Sequence, residues 1–252
     1  MQRAALSATA LLAPVLLALA LLALARPATA GPPFVSDDPE PTDYRHFEIY
    51  AFHLGTVTRT GTAGQAGIDF NYGALPDLQT TIVLPAGFAR PVDGDVQLGL
   101  GNIQFAAKYR FLHQQSFGLD VSFFPRLLMP AGTSPVGAST AAFLLPLWLE
   151  RDWGKWSLFG GGGCTLNTGA GFDFCQAGAV LNRQVAQHLQ LGVELAYQSA
   201  NAEGTPASTA LGLGARYDLG EHAHLLAYIN RGIQNVEQTD EFSWYAAMLF
   251  TF

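Results

Sequence analysis

Charged residues are scarce in this chain. Lys, Arg, Asp and Glu make up 13% of its 252 residues, about half the share in an average soluble domain, whereas 49% of the residues are hydrophobic. The 20 acidic residues outnumber the 13 basic ones, and the basic residues form no run, which argues against a nucleic-acid partner. So large an apolar surface needs something other than water to cover it.

Long apolar runs are missing after residue 30. No later stretch approaches the roughly 18 apolar residues of a membrane-spanning helix, which excludes such a helix there. The one long run, Ala4–Ala25, follows Arg3 and leads to the small residues Ala28-Thr29-Ala30. This order predicts a secretory signal peptide, residues 1–30, cleaved after Ala30. An uncleaved anchor is the alternative, because the run is nearly long enough to span a bilayer.

Cysteine is almost absent. Only Cys164 and Cys175 occur, eleven positions apart, in a chain expected to reach an oxidising compartment. They flank a predicted external loop, at facing ends of neighbouring strands, and this placement favours a disulfide. Two free cysteines, or a metal pair that would need further ligands, are the alternatives.

Alternation with a period of two is what the sequence has in abundance. In residues 189–198, the bulky residues Leu, Leu, Val, Leu and Tyr alternate with Gln, Gly, Glu, Ala and Gln, and residues 102–111 and 209–218 behave alike. A period of two indicates β-strands. The apolar face would form the core of a soluble sandwich but would face lipid in a membrane barrel, and alternation alone does not choose between them.

Connection lengths favour the membrane barrel. Twelve strands are predicted, at about 46–57, 67–74, 78–85, 97–111, 116–128, 140–150, 156–164, 172–182, 188–198, 208–218, 223–231 and 243–252. Short connections alternate with longer, Gly-, Pro- and Ser-rich ones, the rhythm of periplasmic turns and external loops. We therefore expect an all-β, transmembrane antiparallel barrel of about 12 strands over residues 44–252, in the lipid of the outer membrane of a Gram-negative type of cell envelope, with both termini periplasmic.

The last predicted strand ends the chain on an aromatic residue, Phe252. A terminal aromatic after an alternating strand resembles the signal by which the barrel-assembly machinery receives outer-membrane barrels. An ordinary edge strand that stops there is the alternative.

Residues 31–43, between the signal peptide and the barrel, are rich in proline and acid. Four prolines and no apolar periodicity predict an extended, solvated periplasmic arm. A divalent-cation site at Asp37, Asp38 and Glu40 is the less favoured interpretation, because a solvated acidic linker needs no ligand.

Charged residues on the small faces of the strands predict a polar barrel interior, because charge is costly in lipid. An open path and a salt-bridged plug filling a narrow lumen both fit this pattern. The residues expected to line the lumen are Glu48, Gln104, Lys108, Arg110, Asp120, Arg126, Glu194 and Arg216.

Signatures of catalysis and of cofactor binding are missing. Neither G-x-S-x-G nor H-E-x-x-H occurs, and the glycine run at 160–163 lacks the Gly-Lys-Ser/Thr ending of a phosphate loop. His222 and His224 share one side of a strand, but two ligands beside a predicted solvated turn are a weak zinc signal. We expect no catalytic residue, metal or cofactor, although a barrel enzyme with a scattered catalytic set stays open.

Two stretches resemble a known family. GLGNIQFAAKYRFL at 99–112 and FVSDDPEPTDYRHFEIY at 34–50 are similar to the bacterial outer-membrane transporters named for the MetA pathway of phenol degradation. The resemblance implies a barrel of about twelve strands that passes small, often aromatic or hydrophobic molecules, and it implies no catalytic residue. A passive channel for small solutes is the expected function, with a lipid-modifying barrel enzyme and a structural barrel with a plugged lumen as alternatives.

Overall fold

An antiparallel β-sheet that closes on itself makes up this protein. The computed structural model describes residues 33–131, 136–169 and 171–252, so the predicted signal peptide lies outside the described residues. The strand segments in the described part are β1 (Phe47–Thr58), β2 (Gly61–Leu75), β3 (Leu78–Pro91), β4 (Gln97–Leu100), β5 (Ile103–Leu112), β6 (Asp120–Phe123), β7 (Arg126–Met129), β8 (Ala142–Trp153), β9 (Trp156–Asn167), β10 (Phe174–Ala186), β11 (Leu189–Gln198), β12 (Ser208–Asp218), β13 (Ala223–Gln234) and β14 (Phe242–Thr251). One helical turn, α1 (Gln114–Phe117), precedes β6.

The fourteen segments form a barrel of twelve spanning strands, because β4 with β5 and β6 with β7 are each one interrupted strand. Strand β3 pairs with both β4 and β5, and β5 and β8 each pair with both β6 and β7. The second interruption falls at Phe124-Pro125, where proline has no N–H to donate to the ladder. The predicted twelve-stranded antiparallel barrel is confirmed.

Pairing between the first and last strands closes the barrel. Strand β1 pairs with β14 from Glu48 opposite Thr251 to Val57 opposite Phe242, and it pairs with β2 on its other side. Closure leaves no free sheet edge, which is the condition for strands to lie in lipid. No helix in the described residues is long and apolar enough to cross a membrane.

The apolar face of the alternating strands points outward. In β11, Leu191, Val193 and Leu195 are exposed, whereas Gln190 and Glu194 are buried. This is the inverse of a soluble sandwich. It gives the outer wall an apolar belt and directs the polar residues into the lumen.

The two ends of the barrel differ in their connections. The end that carries Phe47 and Phe252, here called the terminal end, has connections at 76–77, 113–119, 154–155, 187–188 and 219–222. The opposite loop end has connections at 59–60, 92–96, 130–141, 168–173, 199–207 and 235–241. The second and third strands were predicted too short, at 67–74 and 78–85. In the structure β2 begins at Gly61 and β3 ends at Pro91, and the connection between β1 and β2 is a tight turn. The stretch GTAGQAG (61–67) has the composition of a loop, but its backbone pairs fully with β1.

A disulfide joins two strands near the loop end. Cys164 in β9 lies opposite Cys175 in β10, with their Cα atoms 3.9 Å apart, and the two are bonded. The bond therefore brackets the 168–173 connection.

The outward orientation of the apolar face can be tested with one charge. Leu213 lies at the middle of β12 with its side chain 57% exposed. We expect Leu213→Arg to lower the free energy of unfolding in liposomes by about 2–4 kcal/mol, the cost of arginine near the bilayer midplane. Leu219→Arg, in a terminal-end turn, is the matched control and should cost far less. Urea titration in lipid measures both, and equal costs would contradict the lipid-facing assignment.

Candidate functional site in the barrel lumen

The acidic, proline-rich arm lies inside the barrel. Ser36, Asp38, Pro39 and Thr42 are buried, so the expectation of a solvated arm is wrong for residues 33–42. The arm enters from the terminal end, turns near Ser36, and returns toward the terminal end. The reason is chemical: the barrel interior offers cations, hydrogen-bond acceptors and gaps that match the arm residue by residue.

Lys108 on β5 is the cation that holds the acidic part of the arm. Its ammonium lies 3.1 Å from a carboxylate oxygen of Asp37 and donates to the carbonyl oxygen of Asp38 at 2.9 Å. The other carboxylate oxygen of Asp37 accepts from Arg126 at 3.2 Å. Both cations also lie over the ring of Phe124, at 4.9 and 4.1 Å from its centroid. Each charge is thus paired, as a buried charge must be.

Glu194 on β11 holds the tip of the arm through backbone groups. Its two carboxylate oxygens accept the N–H groups of Val35 at 3.0 Å and of Ser36 at 2.7 Å. The Glu194 side chain is fully buried, so these charge-assisted bonds replace its lost hydration. Removing this carboxylate would leave the N–H donors of Val35 and of the buried Ser36 without their acceptor.

Two glycines on the barrel wall make room for the ring of Phe34. A Cβ atom on Gly192 or Gly214 would lie 2.5 Å from the Phe34 ring, which therefore fits only because both positions are glycine. The ring also packs edge-on against Phe159 and Tyr228, with centroids 5.7 and 5.5 Å away. This is a shape match between one aromatic side chain and a gap in the barrel wall.

Hydrogen bonds fix the other end of the arm. The N–H and hydroxyl groups of Thr42 donate to the side-chain carbonyl of Gln79 at 2.8 and 3.1 Å. The amide nitrogen of Gln79 in turn donates to Asn71 and Thr81. Both ends of the described arm are therefore anchored at the terminal end.

All eight residues predicted to line the lumen face the interior. Lys108, Arg126 and Glu194 bind the arm directly, and Arg110 lies 3.9 Å from Glu40 while binding Asp77 at 2.9 Å. The other four are described by their contacts or register within the barrel. They are Glu48, which accepts from Tyr50, Asp120, which accepts from the N–H of Gln114, Arg216, which binds Asp218, and Gln104, which shares the inward face of β5 with Lys108.

The part of the lumen wall formed by β1 and β14 carries an apolar cluster, which the sequence did not reveal. Tyr50, Phe52 and Leu54 on β1 point inward and pack with Tyr245 and Leu249 on β14. The rings of Phe52 and Tyr245 are stacked, with centroids 6.4 Å apart. We call these five residues the apolar wall. Its signal was hidden because β1 carries bulky residues on both faces, as in Ile49-Tyr50.

A cavity opens above the apolar wall at the loop end. It has a volume of about 390 Å³, and Thr56, Thr58, Ala63, Gln97 and Asp240 are among its lining residues. Thr56 follows Leu54 on the same face of β1. A molecule that enters from the loop end therefore meets hydroxyl groups first and the apolar wall next.

The histidines and acidic residues weighed above as metal ligands have other contacts in the described residues. No group of three His, Cys, Asp or Glu side chains that could hold a metal occurs in the described residues. His224 is buried rather than solvated, with its Nδ1 atom 2.6 Å from Asp218, while His222 stacks on Phe252. Asp37 and Asp38, considered above as cation ligands, form ion pairs with Lys108.

Two solved structures with the same fold are an outer membrane channel and a translocator domain. The COG4313 outer membrane channel from Pseudomonas putida F1 superposes with a TM-score of 0.69 at 14% identity, over 89% of this chain and all of that one. The chain has the fold of outer-membrane β-barrels. The translocator domain of the autotransporter NalP from Neisseria meningitidis gives a TM-score of 0.51 at 13% identity, over 98% of both chains. No protein-family model and no curated protein sequence matches this chain.

Titration of Glu40 links arm docking to pH. Burial raises the pKa of Glu40 to about 7, against the partial compensation from Arg110. A raised carboxyl pKa means that the docked arm is favoured while Glu40 is protonated. This contribution is complete below the pKa of the free carboxyl and is lost as the pH rises through about 7.

We therefore expect wild-type protein to hold its arm less tightly at pH 8 than at pH 5. Glu40→Gln should remove the part of this pH dependence that lies near neutrality, because its amide does not ionise. Protease cleavage of the arm in folded, detergent-solubilised protein at each pH measures release. An unchanged pH profile in the Gln variant would contradict the role of Glu40.

Proposed function

We propose that this protein is a passive outer-membrane channel for small, apolar or aromatic solutes, closed at its terminal end by its own arm. The observation that carries the proposal is the apolar wall. Tyr50, Phe52 and Leu54 line the inside of the barrel and form one apolar surface with Tyr245 and Leu249. A pathway for ions alone gives no reason to place aromatic side chains in the lumen, whereas an aromatic solute gains from contact with them.

Several features support the wider setting of this proposal. The signal peptide with cleavage after Ala30, the apolar belt and the terminal Phe252 suit export, insertion in the outer membrane and delivery by the barrel-assembly machinery. The fold shared with an outer membrane channel and the resemblance to transporters named for phenol degradation agree with small-solute passage. No cofactor and no catalytic set is needed for such passage.

The arm is the element that blocks the path. It occupies the half of the lumen nearer the terminal end, where Lys108 and Glu194 hold it, while the cavity at the loop end stays open. Release of the arm would join this cavity to the terminal end. The contacts are side-chain and turn contacts without strand pairing, so release leaves the barrel ladder intact.

Loosening the arm tests the channel. Glu194→Ala leaves the N–H groups of Val35 and Ser36 without an acceptor, at a cost of about 1–3 kcal/mol, so arm release should rise about tenfold or more. We expect larger or more frequent conductance steps in planar bilayers, and deletion of residues 31–42 should give steady conductance. Glu48→Ala is the control, because Glu48 binds Tyr50 and not the arm. Silence from a folded, arm-deleted barrel would refute the channel.

Solute choice is tested separately from conduction. Phenol added at the loop end should reduce the ion current of the arm-deleted channel, because its ring can lie on the apolar wall. Phe52→Ser should raise the phenol concentration needed for half-block about tenfold through lost apolar contact. Gln104→Ser, on a polar part of the wall, should leave it unchanged, and arabinose should not block. Equal block by arabinose and phenol would leave a channel without the proposed solute class.

A further inference from the structure

An exposed cluster of basic and aromatic side chains lies on the outer wall at the terminal end. It consists of Arg151 and Trp153 at the end of β8, Lys155 in the turn, Trp156 at the start of β9 and Arg183 on β10. We call these five residues the outer basic patch. All except the half-buried Trp156 are exposed. Three cations together are unusual in a chain with more acidic than basic residues.

Strand pairing brings the members of the patch together. Trp153 lies opposite Trp156, and Trp156 lies opposite Arg183, so these three form one row across three strands. The Arg183 guanidinium lies over the Trp156 ring, 4.8 Å from its centroid. Arg151 is two residues from Trp153 on the same outward face. The patch is thus a contiguous surface rather than a scatter of charges.

The patch lies at the boundary of the apolar belt. The next row toward the barrel centre pairs Arg151 with Leu158 and Leu158 with Leu181, and both leucines are exposed on the outer wall. Arg151 therefore shares its row with lipid-facing leucines. A charge in that position is costly unless its long side chain reaches a polar partner at the interface.

No carboxylate in the described part of the chain supplies that partner. In residues 33–131, 136–169 and 171–252, neither Arg151, Lys155 nor Arg183 forms an ion pair with Asp or Glu. The acidic residues next in sequence, Glu150 and Asp152, occupy the inward positions of β8, where Glu150 binds Ser157. The outward charge of the patch is left for a ligand from outside.

We propose that the outer basic patch binds the phosphate of an anionic phospholipid in the membrane leaflet at the terminal end. The headgroup phosphate lies among Arg151, Lys155 and Arg183, and the acyl chains run along Leu158 and Leu181. Tryptophan is enriched at this depth because its ring suits the boundary between hydrocarbon and headgroups. Continuity of the patch with the lipid-facing leucines favours a lipid over a soluble acidic partner.

Native mass spectrometry of the folded, mature protein in detergent provides the test. The probes are phosphatidylglycerol and phosphatidylcholine with identical acyl chains. We expect wild-type protein to retain phosphatidylglycerol at least about tenfold better, since each basic residue near a membrane contributes appreciably to anionic lipid binding. Arg151→Gln with Arg183→Gln should abolish this preference.

Two further variants keep the test decisive. Arg90→Gln with Arg231→Gln removes the same charge from exposed arginines near the loop end and should leave the preference intact. Arg151→Lys with Arg183→Lys keeps the charge and should keep most of the preference even if the glutamine variant fails to fold. Equal retention of the two lipids by wild type, or equal loss in both glutamine variants, would overturn the proposal. Binding of an acidic peptide in place of lipid would assign the patch to a soluble partner instead.

Discussion

Every backbone N–H and C=O group that lies in lipid needs a partner within the protein, and the pairing of β1 with β14 is what makes this possible here. Once the sheet is closed, the outward face has to be apolar and the lumen has a fixed width. Even the proline interruption obeys the rule. The N–H of Phe124 donates to the carbonyl of Pro146, and the carbonyl of Pro125 accepts from Ala107, so the ladder is repaired locally.

A barrel of twelve strands has a lumen of intermediate width, between barrels filled by their own side chains and wide porins. Here the arm does part of the filling. Its carboxylates pair with Lys108 and Arg126, its backbone N–H groups donate to Glu194, and its one aromatic ring fills the space left by Gly192 and Gly214. The charged groups of the wall thus bind the arm, whereas the apolar wall takes part in none of these contacts.

Alternation made the strands predictable, because a period of two is a local property of the sequence. The same logic placed Glu194 and Lys108 inside and brought Cys164 opposite Cys175. The prediction failed where the local sequence pattern is ambiguous. The first halves of β2 and β3 at the loop end carry small residues that resemble a loop, and β1 has bulky side chains on both faces, so Tyr50 and Phe52 were not recognised as inward.

Docking of the arm was beyond sequence reasoning for a different reason. It depends on matching Asp37 and the backbone of Val35 and Ser36 to groups on separate strands, 71 to 159 positions away. A hint was present, because inward cations face an acidic segment and inward glycines recur at 192, 212 and 214. Only the closed barrel brings these signals to one place.

The path of the arm has a consequence for how the molecule is assembled. Pro33 lies near Gln190 and Arg216, and Thr42 lies at Gln79, so the segment enters and leaves through the same end of the barrel. The arm folds back inside the barrel and does not pass through it from end to end. The barrel can therefore close before the arm enters it, and the arm can later leave without any strand pairing being broken.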